Sequence, residues 1–204
     1  MAAQAIESRC PPETEDETLS HDHDLSPSPW IVRFAPLVPE GARVLDLAAG
    51  SGRHARWFAS RGAHVVAVDR DSMLLSTMAG VAGIETRALD LETGAWPLSG
   101  ERFDAIVVVN YLHRRLFPHL RRALAADGVL LYETFAMGNE AFGRPVKPDF
   151  LLCSDELLTV AGLPPEPMTV VAFEQGKVSG ESRTAVVQRI AAVGAARPWP
   201  PPLG

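Results

Sequence analysis

Cysteine is scarce in this chain, with only Cys10 and Cys153 among 204 residues. Two cysteines in unrelated contexts exclude a disulfide framework and are typical of a reduced, cytoplasmic protein. Long apolar runs are missing as well. None approaches the ~20 residues that cross a bilayer, and the N-terminus lacks the basic-then-apolar order of a signal peptide. The sequence therefore predicts a cytoplasmic protein with no membrane partner.

A net basic region is also absent. Residues 1–25 hold seven acids and one base, so they carry the whole net charge of −6, and the rest of the chain is balanced. Domains that bind nucleic acids usually carry a basic surface or stripe. Short pairs such as Arg114–Arg115 and Arg121–Arg122 are the nearest candidates. We therefore expect no nucleic-acid partner, and the sequence indicates no protein partner.

Composition divides the chain into three parts. Residues 1–26 are acidic and interrupted by Pro11–Pro12, which predicts a disordered segment. The HDHD at 21–24 lacks a closed ligand set, so we interpret it as solvated chain and expect no metal site. Residues 27–192 are expected to form a single domain, and residues 193–204 are a Pro-rich tail.

Within 27–192, short apolar strands alternate with helices, which predicts a mostly parallel sheet covered by helices on both faces. Ser28 and Pro29 are typical of the first residues of a helix, and Ser154 is the expected N-cap of the last one. The chain closes with a predicted antiparallel hairpin that turns at 177–180. Strands are expected at 42–49, 63–69, 84–90, 103–110, 129–135, 168–176 and 182–193. Helices are expected at 30–37, 52–62, 72–83, 116–128 and 153–162.

The stretch VLDLAAGSGRHA, residues 44–55, breaks from a strand into glycines where an open α/β sheet binds its ligands. Glycines allow the backbone to approach a ligand closely, and a helix start favours negative charge. Residues 50–55 also satisfy G-x-G-x-x-A, a pattern that serves a dinucleotide equally well. Asp46 argues against a pyrophosphate here and suits a cofactor with a cationic ammonium and a sulfonium.

These residues resemble the first motif of the class I S-adenosylmethionine-dependent methyltransferases. The later motifs of that family resemble Val65–Asp69, Ala88–Leu91 and Phe103–Asn110, in the same order. The resemblance covers about residues 28–192 and implies a Rossmann-like class I methyltransferase fold with S-adenosyl-L-methionine as cofactor. It implies that Asp69 holds the ribose hydroxyls and that Asp90 meets the adenine amino group. The implied cofactor-binding residues are Asp46, Ala48, Gly50, Gly52, Asp69, Arg70, Asp90, Leu91 and Asn110.

A narrower resemblance is to small bacterial methyltransferases of the tellurite-resistance type. It depends on four stretches, residues 110–114, 132–135, 138–140 and 142–145. The expected function is methyl transfer to a small molecule, with thiol, oxyanion, amine and hydroxyl acceptors all open. The alternatives are an NAD(P)-dependent oxidoreductase of Rossmann type and a non-catalytic cofactor-binding module.

Three residues are candidates for the chemistry of the acceptor. His113 has the titration range of a general base, although a surface histidine is an equal alternative. Arg114 either positions an anionic substrate or is solvated. Arg144 belongs to a long loop at 136–152 that we interpret as a substrate lid, with a static cover as the alternative.

Each acid also has a structural alternative, and for Asp46 it is an ion pair with Arg33 or Arg53. Asp69 is a possible helix N-cap, although Asp71 or Ser72 can serve instead, and Asp90 is a possible turn residue. The remaining histidines of the domain, His54, His64 and His119, are interpreted as structural or exposed.

Overall fold

The structure is a computed structural model that describes residues 26–179 and 184–201. The predictions for the acidic segment, its HDHD stretch, Cys10 and the tip of the hairpin lie outside these residues or at their edge. The strands are β1 Arg43–Leu47, β2 His64–Asp69, β3 Ile84–Ala88, β4 Phe103–Val109, β5 Leu124–Phe135, β6 Thr169–Ser179 and β7 Thr184–Val193. The helices are α1 Pro29–Phe34, α2 Arg53–Ala59, α3 Ser72–Ser76, α4 Phe117–Ala123 and α5 Glu156–Ala161.

One seven-stranded sheet organises the fold, in the order β3-β2-β1-β4-β5-β7-β6. The first five strands pair in parallel, and β7 lies antiparallel between β5 and β6. The strand order reverses between β1 and β4, so the crevice at their carboxyl ends is the expected place for a ligand. The predicted mostly parallel sheet with a terminal antiparallel hairpin is confirmed.

The sheet is buried on both faces because side chains alternate along each strand. One face packs against α1, α2 and α3 through residues such as Val44, Val65 and Val107. The other packs against α4 and α5 through Leu45, Ile106 and Tyr132. Continuous apolar strands, as in β4, are what a sheet covered on two sides requires.

Several predicted boundaries are wrong. The predicted helix 72–83 stops at Ser76, and turns with positive φ at Gly80 and Gly83 follow. The helix predicted to reach residue 128 ends at Ala123, because Leu124 already pairs with Phe103 of β4. The strand β6 continues to Ser179, three residues beyond the predicted end at 176, so residues 177–179 belong to the strand and not to the predicted turn.

The two predicted helix starts have different outcomes. The Ser28 side chain accepts a hydrogen bond from the Trp30 N–H, with Pro29 as the first residue of α1, as predicted. Ser154 is not the N-cap of α5, since Asp155 occupies that position. The Ser154 hydroxyl instead accepts a hydrogen bond from the Gln175 side chain at 3.1 Å.

The start of the Pro-rich tail lies against the domain. The Gly194 N–H donates to the Gly128 carbonyl at 2.8 Å, and the Ala196 N–H donates to the Ala126 carbonyl at 3.1 Å. The Arg197 guanidinium also donates to the carbonyl of Leu37, which lies 160 positions earlier in the sequence. Within residues 26–179 and 184–201, every helix is too short or too polar to cross a membrane.

Candidate functional site

A cavity of about 450 Å³ opens at the carboxyl edge of the parallel strands. Residues that follow β1, β2, β3, β4 and β5 line it, so it lies where the topology places a ligand. Six of the nine residues expected at the cofactor line this cavity: Ala48, Asp69, Arg70, Asp90, Leu91 and Asn110. The other lining residues are Leu89, Glu92, Tyr111, Leu112, Thr134, Phe135, Pro145 and Phe150.

The loop between β1 and α2 needs its glycines. Gly52 has a φ of 82°, and a Cβ built there would lie 1.8 Å from the Met78 sulfur. A side chain at this position would therefore displace a fully buried methionine as well as strain the backbone. Gly50 (φ 56°) has open space around it, and Ala48 adopts a φ of 56° although it is not glycine. This strained turn is the kind of backbone that close approach to a ligand requires.

The Asp69 carboxylate joins two loops at the end of β2. It accepts hydrogen bonds from the Gly50 N–H at 2.8 Å and from the Asp71 N–H at 3.0 Å. Asp71 is the residue that caps α3, through bonds from Met73 and Leu74. Asp69 is therefore free of the capping role, and its remaining lone pairs are available at the cavity wall.

Asp46 lies beneath the loop and is 2% exposed. Its Oδ2 atom has no hydrogen-bond partner among the described residues. Burial raises the pKa of this carboxyl to about 7, although the Ala55 backbone N–H and the Arg53 charge act in the opposite direction. A buried carboxylate oxygen without a partner favours a nearby cation, which fits the ammonium and sulfonium groups of the expected cofactor.

The neighbouring His54 is buried, as its structural interpretation predicts, and its Nε2 accepts a hydrogen bond from the Ser28 N–H at 3.1 Å. Burial and the adjacent Arg53 lower the pKa of this imidazole to about 3. The Ser28 hydroxyl donates to Glu133 Oε2 at 2.6 Å. Ser28 thus ties the start of α1 to α2 and to the end of β5.

The acids after β3 form the exposed wall of the cavity. Asp90 Oδ1 accepts a hydrogen bond from the Glu92 N–H at 2.8 Å, and this bond holds the pKa of Asp90 below its usual value. The turn that was the structural alternative for Asp90 is therefore present, at a residue that also lines the cavity. Across from it, the Tyr111 hydroxyl lies 3.4 Å from Glu92 Oε1. Burial and that carboxylate raise the pKa of the phenol.

None of the three candidates for acceptor chemistry lines the cavity. His113 is half-buried and begins a 3₁₀ turn. Arg144 is exposed. Arg114 forms two hydrogen bonds to the Glu156 carboxylate, at 2.7 and 2.9 Å, and donates to two loop carbonyls. All three nitrogen atoms of its guanidinium therefore donate hydrogen bonds within the protein.

Residues 136–152, which we call the cover loop, lie across the β5 side of the cavity. Asn139 is buried, and its amide donates to the Pro145 carbonyl at 3.1 Å and accepts from the Val186 N–H at 3.1 Å. Arg114 binds the carbonyls of Asp149 and Leu151 at the other end of the loop. Pro145 and Phe150, which lie at these two anchors, reach the cavity.

The sequence analysis did not identify the residues of β5 that line the cavity. Thr134 is 1% exposed and lines the cavity at the end of β5, next to Phe135. The available signal was the polar triplet Tyr132–Thr134 at the end of the apolar strand VLLYETF, within a stretch already noted for its resemblance. Leu112 and Tyr111 follow β4 in the same way.

Residues 44–128 match the family model described as a methyltransferase domain. The matched region runs from β1 to Gly128, within β5. It includes the glycine loop and the acids at the ends of β2 and β3.

Known proteins with similar sequence or structure include described methyltransferases. A curated Bacillus subtilis (strain 168) protein named "Putative methyltransferase YqeM" is 29% identical over 129 residues, 58% of this chain and 51% of that protein. The solved structure of TehB from Haemophilus influenzae has a TM-score of 0.65 and 17% identity, covering 80% of this chain and 61% of TehB. An S-adenosylmethionine-dependent methyltransferase from Mesorhizobium loti has a TM-score of 0.60 and 17% identity, covering 78% and 95%.

The match spans about half the length of this curated relative and less than two thirds of TehB. The two solved structures share the fold of this chain, so the predicted fold class is confirmed.

Proposed function

We propose that this protein transfers methyl groups from S-adenosylmethionine to a small molecule. Two findings support the proposal: residues 44–128 match the family model of a methyltransferase domain, and the chain has the class I methyltransferase fold. The observation that carries the proposal is the position of Asp69. Its carboxylate ends β2 at the cavity wall and is held in place by the Gly50 N–H of the glycine loop. An acid fixed about 20 residues beyond such a loop suits the two hydroxyls of a ribose.

The other residues of the cavity complete a cofactor site. Asp90 and Leu91 lie after β3, on the side of β2 away from β1, and suit the adenine of the nucleoside. Asp46, with its unpaired buried oxygen, lies under the loop where the cationic end would sit. The bound cofactor supplies an activated methyl group, so the protein's task is to align the acceptor and exclude water.

Asp46 also separates this proposal from the dinucleotide alternative. A pyrophosphate at the loop of residues 48–52 would lie above a buried carboxyl whose neighbour Asp69 is also acidic. Two acids there repel a phosphate and attract a sulfonium. The charge of the site therefore favours S-adenosylmethionine over NAD(P).

Calorimetric titration with S-adenosylhomocysteine and with NADH tests the cofactor directly. We expect binding of the first only. Asp69→Ala should weaken that binding by about 1–3 kcal/mol, the loss of charge-assisted hydrogen bonds. Asp71→Ala is the matched control, because it removes a neighbouring acid that caps α3 and does not line the cavity. NADH binding, or unchanged affinity in a folded Asp69→Ala protein, would remove the assignment.

A further inference from the structure

We propose that the methyl acceptor is a small, uncharged, mainly apolar thiol, bound between Thr134 and Phe150. This inference depends on the proposed function and narrows its acceptor. Three features carry it: the charges around the cavity, the side chains at its β5 end, and the lack of a base there.

Among the residues that the structure describes, the β5 end of the cavity offers no cation to an anionic acceptor. Arg114 is committed to Glu156 and to the cover loop. Arg144 and Lys147 are exposed and do not line the cavity. Arg70 does line it, but it follows β2, three strands from β5, about 14 Å away at the usual strand spacing. The other charged lining residues are acids: Asp69, Asp90 and Glu92. The β5 end therefore lacks the positive charge that would hold a permanently charged oxyanion in place.

The same end is apolar. Leu112, Phe135, Pro145 and Phe150 surround it, and Leu112 and Phe135 are buried. Thr134 contributes a single hydroxyl to the cavity wall and forms no side-chain hydrogen bond with another described residue. A pocket with mainly apolar walls and a few polar groups, here Thr134 with Asn110 and Tyr111 at the end of β4, selects a mainly apolar molecule with one polar atom.

Within residues 26–179 and 184–201, no group suited to act as a base lines this end of the cavity. His113 does not line the cavity. The Tyr111 phenol does, but burial and Glu92 raise its pKa, so it stays protonated. Of the neutral acceptors that carry a proton on the reacting atom, a thiol depends less on such a base than an alcohol, because it ionises in solvent near pH 8.5 before it enters the pocket. An alcohol would keep its proton, and an amine would produce a cation against apolar walls.

Apolar walls also favour this particular transfer. An anionic thiolate and a cationic sulfonium react to give two neutral thioethers, and a low dielectric strengthens the attraction between opposite charges. The thiol gives its proton to water. Its sulfur lone pair forms the new S–CH₃ bond, and the electron pair of the broken bond stays on the former sulfonium sulfur.

A matched panel tests the acceptor class. Benzyl mercaptan, benzyl alcohol and benzylamine differ only in the nucleophilic atom, 3-mercaptopropionate adds a negative charge to a thiol, and selenite represents oxyanions. We expect S-adenosylhomocysteine to form fastest with benzyl mercaptan, at least about tenfold faster than with any other member, which corresponds to 1.4 kcal/mol. A faster reaction with any other member overturns the inference.

Cofactor binding distinguishes the two possible failures. If S-adenosylhomocysteine binds but none of the panel is methylated, the thiol inference fails and the cofactor proposal stands. If S-adenosylhomocysteine does not bind, the proposed function itself fails.

Two phenylalanines of the cover loop provide a matched pair of variants. Phe142 and Phe150 are each 47% exposed, but only Phe150 lines the cavity. Phe150→Ala should raise KM for benzyl mercaptan about tenfold or more, since the ring loses its apolar contact, and Phe142→Ala should leave KM unchanged. Equal effects of the two variants contradict the assignment.

A binding readout without turnover completes the test. Benzyl methyl sulfide, the thioether product, should bind the complex with S-adenosylhomocysteine. Its affinity should fall in Phe150→Ala and stay constant in Phe142→Ala. Thr134→Val keeps the shape of the wall and should lower kcat for the thiol while leaving the affinity for the thioether nearly unchanged. Failure of the thioether to bind the wild-type complex overturns the proposed pocket.

Discussion

Asp46 and His54 lie eight positions apart and respond to pH in opposite ways. Burial raises the pKa of Asp46 to about 7, above the value of 3.8 of an exposed aspartate. The folded protein therefore holds an extra proton between those values, and the free energy of unfolding falls as pH rises from about 4 to 7. Burial lowers the pKa of His54 to about 3. The free energy of unfolding therefore falls as pH drops below 6.5, because the unfolded chain takes up a proton on this imidazole and the folded protein does not.

Replacing Asp46 separates these two contributions. At pH 8 the wild-type protein keeps a carboxylate buried without a partner for one oxygen, which costs about 2–4 kcal/mol of stability because the folded protein binds the proton more tightly than the unfolded chain. Asp46→Asn should therefore unfold at higher urea concentration than wild type at pH 8, with a smaller difference at pH 5. Denaturation curves measured across pH 5–8 check this. A constant difference across that range contradicts the raised pKa.

His54→Gln is the complementary variant. It removes the group whose protonation destabilises the fold at low pH, so its gain in stability relative to wild type should grow from pH 7 to pH 5. The opposite slopes of the two differences exclude a general effect of altering the loop.

Single residues also show which parts of the candidate site can be predicted from the sequence. An acid that ends an apolar strand, as Asp69 does, follows from a rule of topology, because strand ends meet at one edge of the sheet. The commitment of Arg114 to Glu156, 42 positions away, follows no local pattern. It depends on how the cover loop and the start of α5 are placed around Arg114, which only the tertiary structure determines.

At the scale of elements, the cover loop is fixed near its two ends and carries several exposed apolar side chains. Asn139 holds the first part and Arg114 the second. Met137, Phe142, Val146 and Phe150 are all about half exposed. Such a loop can move between its anchors, which is what a lid requires. Its interpretation as a lid stays a prediction.

Asn139→Ala should release the first anchor. The variant loses bonds to Pro145 and Val186, which should lower the free energy of unfolding by about 1–3 kcal/mol and speed cleavage after Phe142 by chymotrypsin. Trypsin is unsuitable, because Arg144 and Lys147 both precede proline.

Glu140→Ala is the control, since its exposed carboxylate accepts a bond only from Gly138 two residues earlier. Cleavage of the wild-type protein should slow when cofactor and acceptor are bound. If Asn139→Ala is cleaved no faster than Glu140→Ala, Asn139 is not an anchor.

Element type was predictable, and element ends were less so. The period of apolar residues identified every parallel strand. The helix predicted to reach residue 128 fails because Leu124 pairs with Phe103 and the chain bulges before Ala105 and Val129 pair. Local helix propensity continued past Ala123, and a distant strand overrode it.

At the scale of the whole molecule, Ser28 marks the position from which we expect the fold to need its N-terminal residues. It donates to His54 through its N–H and to Glu133 through its hydroxyl. The acidic composition of residues 1–25 predicts little apolar surface to bury. The two sides of this boundary should therefore differ sharply in their effect on stability.

Two truncations test that boundary. Removing residues 1–25 should leave Tm nearly unchanged and raise the isoelectric point, since the segment carries the net charge of −6. Removing residues 1–28 should lower Tm by about 4–8 °C, because the bonds of Ser28 are lost. Thermal unfolding of both proteins is the measurement. A Tm lowered as much by the shorter truncation would place the acidic segment against the domain.

The insertion of β7 between β5 and β6 has a consequence for how the protein folds during synthesis. β5 is complete at Phe135, but its antiparallel neighbour ends at Val193, about 60 residues later. At about 5–20 residues per second, the ribosome needs roughly 3–12 s to supply it. Throughout that interval, the unpaired edge of β5 is an apolar strand open to wrong partners. The nascent chain is therefore most prone to aggregation after the cavity's strands exist and before the hairpin closes their edge.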